Sequence, residues 1–204
     1  MHHLYDDNQA ELLEILSECE KAGNPDMVYE FVSTSKITFA GAGIAAVASS
    51  QKNLDFMKKS VEIQTIGYDK MNQFRHVKYF KNLDGIMAKM KQHADIMRPK
   101  FEMVEEILEK EIGNLGIGSY MKPLGGYFIT FEAMEGCAAA IVKKAKEAGV
   151  VLTGAGAPFP YKKDPKDSII RIAPSYPTIE ELKQAAEVFV VCVKLASVEK
   201  LLAE

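Results

Sequence analysis

The sequence predicts a mixed fold, α/β in its first part and α+β in its second, the second being an open sheet with helices on one side. Three observations predict it. An apolar run from Met27 to Ser33 has strand character and ends on hydroxyls and an amine, Ser33-Thr34-Ser35-Lys36. Between Leu83 and Ile112 the apolar residues recur with helical period. After Gly113, short β-rich segments alternate with amphipathic stretches.

In chain order, Asn8 has the side chain to cap a helix reaching about Ala22, with Leu12, Leu13, Ile15 and Leu16 as its apolar stripe. Gly23-Asn24-Pro25 ends it. Met27 to Ser33 reads as a buried strand, and Gly43 to Ser49 as a second with small apolar residues on both faces. Ser50 caps a short helix from Gln51 to Ser60, and a loop from Thr65 to Lys70 enters a helix that runs to about Phe80. The long helix from Leu83 to Ile112 presents Ile86, Met87, Met90, Ile96, Met97, Phe101, Val104, Ile107 and Leu108, with a kink expected at Pro99. Strands are expected at Ser119–Lys122, Gly126–Phe131, Val150–Leu152 and Ile169–Ala173, and helices at about Cys137–Ala148 and Thr178–Leu202. Thr178 and Glu181 have the spacing of a capping box.

Composition narrows the function classes. The chain has 204 residues, 48% of them apolar, and a net charge of −3. That is ordinary globular composition, with no basic patch for a nucleic acid and no apolar run long enough for a membrane span. The start, Met1-His2-His3-Leu4-Tyr5, has no signal-peptide core, so a cytoplasmic location is expected. Cys19, Cys137 and Cys192 are odd in number and far apart, which suits reduced core cysteines rather than disulfides. His2, His3, His76 and His93 lack metal-ligand spacing, and no metal is expected. The 25 basic residues comprise 22 lysines and 3 arginines, Arg75, Arg98 and Arg171. Generic positive charge is made here with lysine, so each arginine is a candidate for its planar fork.

Four motifs carry the chemistry. They are Ser33-x-Ser35-Lys36, followed by the glycine-broken Phe39-Ala40-Gly41-Ala42-Gly43-Ile44; Pro123-Leu124-Gly125-Gly126-Tyr127-Phe128; Val150 to Phe159 with Gly154 and Gly156; and Ile170-Arg171-Ile172-Ala173-Pro174-Ser175-Tyr176-Pro177. A strand that delivers two hydroxyls and an amine to one point suits an aldehyde cofactor with a phosphate. Plainer readings stand beside this one. Lys36 can be an exposed strand-end lysine, Ser33 and Ser35 alternating strand hydroxyls, Arg171 a sheet-edge arginine paired with an acid, and Gly41 and Gly43 packing glycines. Arg75 and His76 read as a capping or pairing couple on a helix face.

The order and spacing of the four motifs resemble fold-type-I, pyridoxal-phosphate-dependent aminotransferases of class I/II, closest to the branch related to the effector domains of MocR-type regulators. The resemblance implies that Lys36 forms an imine with pyridoxal 5'-phosphate and moves the substrate proton, that Ser33 and Ser35 hold the phosphate, and that Arg171 holds the α-carboxylate, with Gly126 and Tyr127 beside the substrate. It implies amino acid and 2-oxo acid substrates and a homodimer, with Tyr68 and Asp69 near the partner. Many family members place an arginine seven or eight residues after the lysine, where this chain has Gly43 and Ile44. The family's Asp-x-x-Tyr segment, whose aspartate pairs with the pyridine nitrogen, would lie ahead of residue 1. The resemblance therefore maps residues 1–80 to the rear portion of the large, cofactor-binding domain and residues 81–204 to the complete C-terminal small domain. An isolated chain of this kind is expected to be a poor catalyst that does not retain the cofactor. The alternative is a non-catalytic binding or regulatory remnant that folds or self-associates without it.

Overall fold

In the computed structural model, which describes residues 12–203, the mixed α/β character takes the form of two small antiparallel sheets and six helices among the described residues. Those up to His93 form one compact unit and those from Ala94 onward a second.

The N-terminal unit begins with α1 (Ile15–Lys21). Glu14 caps it, its carboxylate accepting from Leu16 N at 2.9 Å and Ser17 N at 2.7 Å. The helix is shorter than expected: Leu12 to Glu14 are not helical, and the expected cap, Asn8, lies outside the described residues. A 3-10 turn over Pro25–Met27 delays the next strand, so β1 is Tyr29–Ser33. It pairs antiparallel with β2 (Ala45–Ser49), Ser33 facing Ala45 and Tyr29 facing Ser49. The expected burial of β1 is not seen. Phe31 is 72% exposed and Val32 50%, because the ribbon has only two strands and neither face is covered. The helix after Ser50 is α2 (Gln51–Gln64), longer than expected, with Ser50 Oγ accepting from Asn53 N. Next, α3 (Lys70–Phe80) is capped by Asp69, which accepts from Asn72 N at 2.9 Å.

The long helix α4 is Leu83–Ile112 and continues on both sides of Pro99. In the C-terminal unit Met97, Phe101, Val104, Leu108 and Ile112 turn one face of it into the core, whereas Ile96 is exposed. The sheet there is β3 (Gly118–Met121), β4 (Ile129–Ala133) and β5 (Ile169–Ile172), in the order β3-β4-β5 and antiparallel throughout. On β4, Ile129, Phe131 and Ala133 are buried while Thr130 and Glu132 are exposed, the two-residue alternation of a sheet covered on one face. The cover is helical. α5 (Ala138–Glu147) contributes Ala138, Ile141 and Ala145, and α6 (Ile179–Ala203) contributes Leu182, Phe189 and Val193. Phe131 meets Phe189 edge-on at 5.2 Å between ring centroids. The capping box opens α6 as its spacing predicts: Glu181 N donates to Thr178 Oγ1, and Thr178 N donates to Glu181 Oε2.

Two expectations change here. Val150–Leu152 is not a strand. Val150 and Leu152 are apolar because they pack on the core, and Val150 N is spent on Ala145 O at the end of α5. The strand expected from Gly126 starts only at Ile129, since Gly126 adopts φ +93°, outside the extended region. Among the described residues no helix is long and apolar enough to cross a membrane.

Glu105 stands out on α4 as a carboxylate only 7% exposed, with Lys122 Nζ at 3.9 Å. Burial pushes its carboxyl above the ordinary range, and the Lys122 charge counters this only in part. The folded chain thus holds this proton more tightly than the unfolded chain. The stability tied to it is complete below the unfolded value and falls as pH rises through the window between the unfolded and folded values. Glu105→Gln is expected to melt at a higher temperature than the parent at pH 7 and at the same temperature below the carboxylate range, a pair of thermal melts that reads the sign directly.

Candidate functional site

Thr34 shapes the end of β1. Its N–H donates to Ile44 O at 2.8 Å, and Ile44 N returns a bond to Thr34 Oγ1 at 2.9 Å, so the ribbon closes one residue beyond its last paired position. Its carbonyl accepts from Ile37 N at 3.0 Å and from Thr38 N at 2.9 Å. Those bonds bend Ser35, Lys36 and Ile37 into a turn with Ile37 buried and Lys36 exposed. On the approach to that turn the hydroxyls of Ser33 and Ser35 lie 2.7 Å apart, and Ser35 N donates to Ser33 Oγ at 3.2 Å. Two hydroxyls and an amine thus share one short segment, as their spacing in the sequence predicts.

The returning arm explains the glycines. Gly41 has φ +74°. At Gly43 a Cβ would lie 2.5 Å from Ser35 Oγ and 2.9 Å from Ser35 Cα, closer than real Cβ atoms come. No side chain fits at that position, arginine included, without moving the serine. Packing is therefore a role of Gly43 that the backbone itself requires.

Helix α3 holds the arm from the other side. Asn72 Nδ2 donates to Ala42 O at 2.9 Å, and Thr38 Oγ1 lies 3.0 Å from His76 Nε2, while His76 Nδ1 lies 2.9 Å from Asn72 O. The ring of Phe39 meets those of His76, Tyr79 and Phe80 at 5.2–5.7 Å. These contacts correct the surface reading of His76, which is 5% exposed and faces Thr38. Asp69 is the cap of α3. Sequence reasoning missed Thr34, Thr38 and Asn72. The Asp69-x-x-Asn72 spacing was available as a cap signal, but contacts 38 residues apart, such as Thr38 to His76, leave no local trace.

The other expected residues lie in the C-terminal unit. Arg171 faces Thr130 across the β4–β5 ladder, between the inward-facing Ile170 and Ile172. Its guanidinium carbon sits 4.3 Å from the centroid of the Phe128 ring. Among the described residues it makes no ion pair with an acid, and its Nε is buried without a hydrogen-bond partner. An orphaned buried donor is costly and marks a place where an acceptor is missing. Gly126, at φ +93°, leads into Tyr127, whose phenol is pushed up by burial. A cavity of about 160 Å³ has Thr153, Arg171, Ala173 and Pro177 in its wall, backed by Leu108 and Phe189. The sequence-predicted residues thus fall into two groups, Ser33, Ser35 and Lys36 in one unit and Gly126, Tyr127 and Arg171 in the other.

The Gly43 contact yields a direct expectation. Gly43→Ala should displace Ser35 and cost about 1–3 kcal/mol of stability, the usual range for forcing atoms into filled space. Gly67→Ala, where a Cβ meets nothing within 4 Å, should cost less. Urea unfolding of both variants measures the difference.

Comparison with known proteins agrees with this architecture. Residues 1–204 match the family model described as aspartate amino-transferase. The chain is 41% identical over 202 residues to a Mycolicibacterium smegmatis protein assigned by name to the aminotransferases, covering 99% of this chain and 47% of that protein. It superposes on the crystal structure of an aspartate transaminase from Corynebacterium glutamicum with a TM-score of 0.93 at 40% identity, covering 98% of this chain and 47% of that one. An α-aminoadipate aminotransferase of Thermus thermophilus, solved with N-(5'-phosphopyridoxyl)-L-leucine, shares the fold at a TM-score of 0.76 and 19% identity, covering 96% of this chain and 48% of that one. The chain spans about half the length of the curated relatives it matches. Its match along every residue, and its identity to these relatives, mean that the chain belongs to the aspartate amino-transferase family.

Proposed function

We propose that this chain carries the covalent-lysine part of an aminotransferase that moves an amino group between an amino acid and a 2-oxo acid, with Lys36 as the reacting amine. The observation that carries the reading is the exposed Lys36 beside two hydroxyls 2.7 Å apart, in a turn locked from both sides. Pyridoxal phosphate is the cofactor this arrangement suits, in keeping with the phosphopyridoxyl compound in the Thermus thermophilus relative. When bound, it supplies an aldehyde for the amine and a ring that accepts the electron pair left at Cα. Ser33 and Ser35 would donate their hydroxyl protons to its phosphate. Gly43 packs against Ser35 and brings no cation, so the phosphate charge would be met elsewhere.

Lys36 would take the Cα proton and return it to the cofactor carbon, which needs an amine held at one place. Arg171 would clamp the α-carboxylate. Its unpartnered Nε and its stacking on Phe128 favour a planar anion taken in two-pronged fashion. We assign residues 1–80 to the rear of a cofactor-binding domain and 81–204 to a small domain; the two compact units divide later, between His93 and Ala94 within α4. The relatives' name makes aspartate the first donor to assay.

A homodimer or other self-association is the second reading, and the uncovered ribbon favours it. On it Phe31 and Val32 are at least half exposed, apolar surface that a partner would bury. Sedimentation that finds only monomer at high concentration would remove this reading.

Incubation with pyridoxal phosphate, borohydride reduction and peptide mapping tests the catalytic assignment. The label is expected on Lys36 ahead of the other lysines, and Lys36→Ala should abolish that preference. Ser35→Ala should weaken cofactor binding by about tenfold or more, the loss of one charge-assisted hydrogen bond. Label spread evenly over the lysines would overturn the assignment.

A further inference from the structure

The turn that carries Lys36 is tied to α3 by a chain of hydrogen bonds whose direction can be worked out. Ile44 N has a hydrogen and faces Thr34 Oγ1 at 2.9 Å, so Thr34 Oγ1 accepts there. Thr34 Oγ1 lies 3.0 Å from Thr38 Oγ1, and Thr38 Oγ1 lies 3.0 Å from His76 Nε2. At the far end, His76 Nδ1 faces the carbonyl oxygen of Asn72 at 2.9 Å. A carbonyl has no hydrogen to give, so Nδ1 carries one and donates it. Nε2 is then left to accept. Thr38 Oγ1 also lies 3.0 Å from the Thr34 carbonyl oxygen, so its one hydrogen has three acceptors in reach, Thr34 O, Thr34 Oγ1 and Nε2, and a ring nitrogen without hydrogen takes it.

We propose that His76 is a positioning residue for Lys36. By accepting the Thr38 hydroxyl it fixes Thr38, and with it the Thr34 carbonyl that folds the lysine turn. The middle link is buried, Thr38 at 8% exposure and His76 at 5%, while Thr34, Ile44 and Asn72 are half-buried. Water therefore does not compete for the Thr38–His76 bond, and its loss leaves a buried group unsatisfied. The ring itself is held edge-on by Phe39 at 5.4 Å and flanked by Phe80 at 5.8 Å. Its acceptor atom is thus fixed in space before any ligand arrives. The inference rests on the reading of Lys36 as the cofactor amine.

A histidine that merely fills the core would be replaceable by any residue that packs as well. A positioning histidine needs its acceptor at the Nε2 position. His76→Gln can place an oxygen at that reach, whereas His76→Asn keeps a donor near the Nδ1 position and provides no acceptor for Thr38. Thr38→Val removes the hydroxyl and keeps the volume. Each variant would be melted, labelled with pyridoxal phosphate and borohydride, and followed by amide hydrogen exchange at Ile37, Thr38 and Ile44. The nitrogen resonances of His76 in the parent chain would be recorded alongside.

The expected result has four parts. Nε2 gives the signal of a ring nitrogen without hydrogen. His76→Asn and Thr38→Val each speed exchange at Ile44 and lower the share of label on Lys36, by about fivefold for one lost hydrogen bond. His76→Gln stays near the parent. The His76→Asn/Thr38→Val double variant is no worse than either single one, because both break the same link. The proposal is overturned if His76→Asn and Thr38→Val leave exchange and labelling unchanged, or if His76→Gln loses as much as His76→Asn. If the parent chain shows no preference for Lys36, the cofactor reading fails instead. The exchange rates then still decide whether His76 orders the turn.

Discussion

The N-terminal unit depends on how many bonds one residue can make. Thr34 spends its N–H on Ile44, its carbonyl on Ile37 and Thr38, and its hydroxyl on Ile44 and Thr38. Backbone polar groups away from water must be paired, and here the pairing also sets the path of the chain. Because one carbonyl accepts from two successive N–H groups, the backbone has to turn between them. Lys36 lies on the outside of that bend and Ile37 on the inside. An exposed lysine on a fixed base is the consequence, and no property of the lysine itself is needed to produce it.

The same constraint explains the glycine at position 43. A returning arm that bonds Thr34 through Ile44 must pass close to Ser35, and a Cβ on Gly43 would occupy the space of the serine hydroxyl. The close approach that serves the turn thus removes the position from which many family members present an arginine. Charge and packing compete for one site, and packing takes it. In the C-terminal unit the opposite choice is visible. Arg171 stands between two inward-facing isoleucines, and its guanidinium is stacked on Phe128 rather than neutralised by an acid. In a chain that otherwise makes its positive charge from lysine, this planar fork keeps a buried Nε without a hydrogen-bond partner among the described residues, which is the feature behind its proposed role.

What could be read from the sequence follows from the range over which each signal acts. Two helix starts were legible because caps are local: Ser50 before α2 and Thr178 with Glu181 at α6 act within three residues. Strand β4 was legible in part, the expected Gly126–Phe131 overlapping the observed Ile129–Ala133. Val150 to Leu152 misled because apolar β-branched residues look alike whether they pair in a ladder or only pack on a core. Burial of β1 misled for a related reason. Its apolar residues promise a cover, yet whether one exists is decided by other strands, and the ribbon has two. At the site, Ser33, Ser35 and Lys36 were legible as neighbours along the chain. Thr38 and His76 were not, since the bond that joins them exists only after α3 has docked on the turn.

That last contact shows where the specificity of such a site resides. A lysine after a strand is common, and two nearby serines scarcely narrow the choice. What distinguishes this one is that its turn is closed by directional bonds, that of Thr38 to His76 buried, while Lys36 itself is exposed. Buried hydrogen bonds contribute modestly to net stability but are expensive to leave unmade. A network of this kind therefore selects one geometry more than it deepens the fold. Were Lys36 the cofactor amine proposed above, a single defined starting point would be the property that counts, because small errors in placement cost large factors in rate. The residues that supply it, Thr34, Thr38, Asn72 and His76, lie behind the lysine turn.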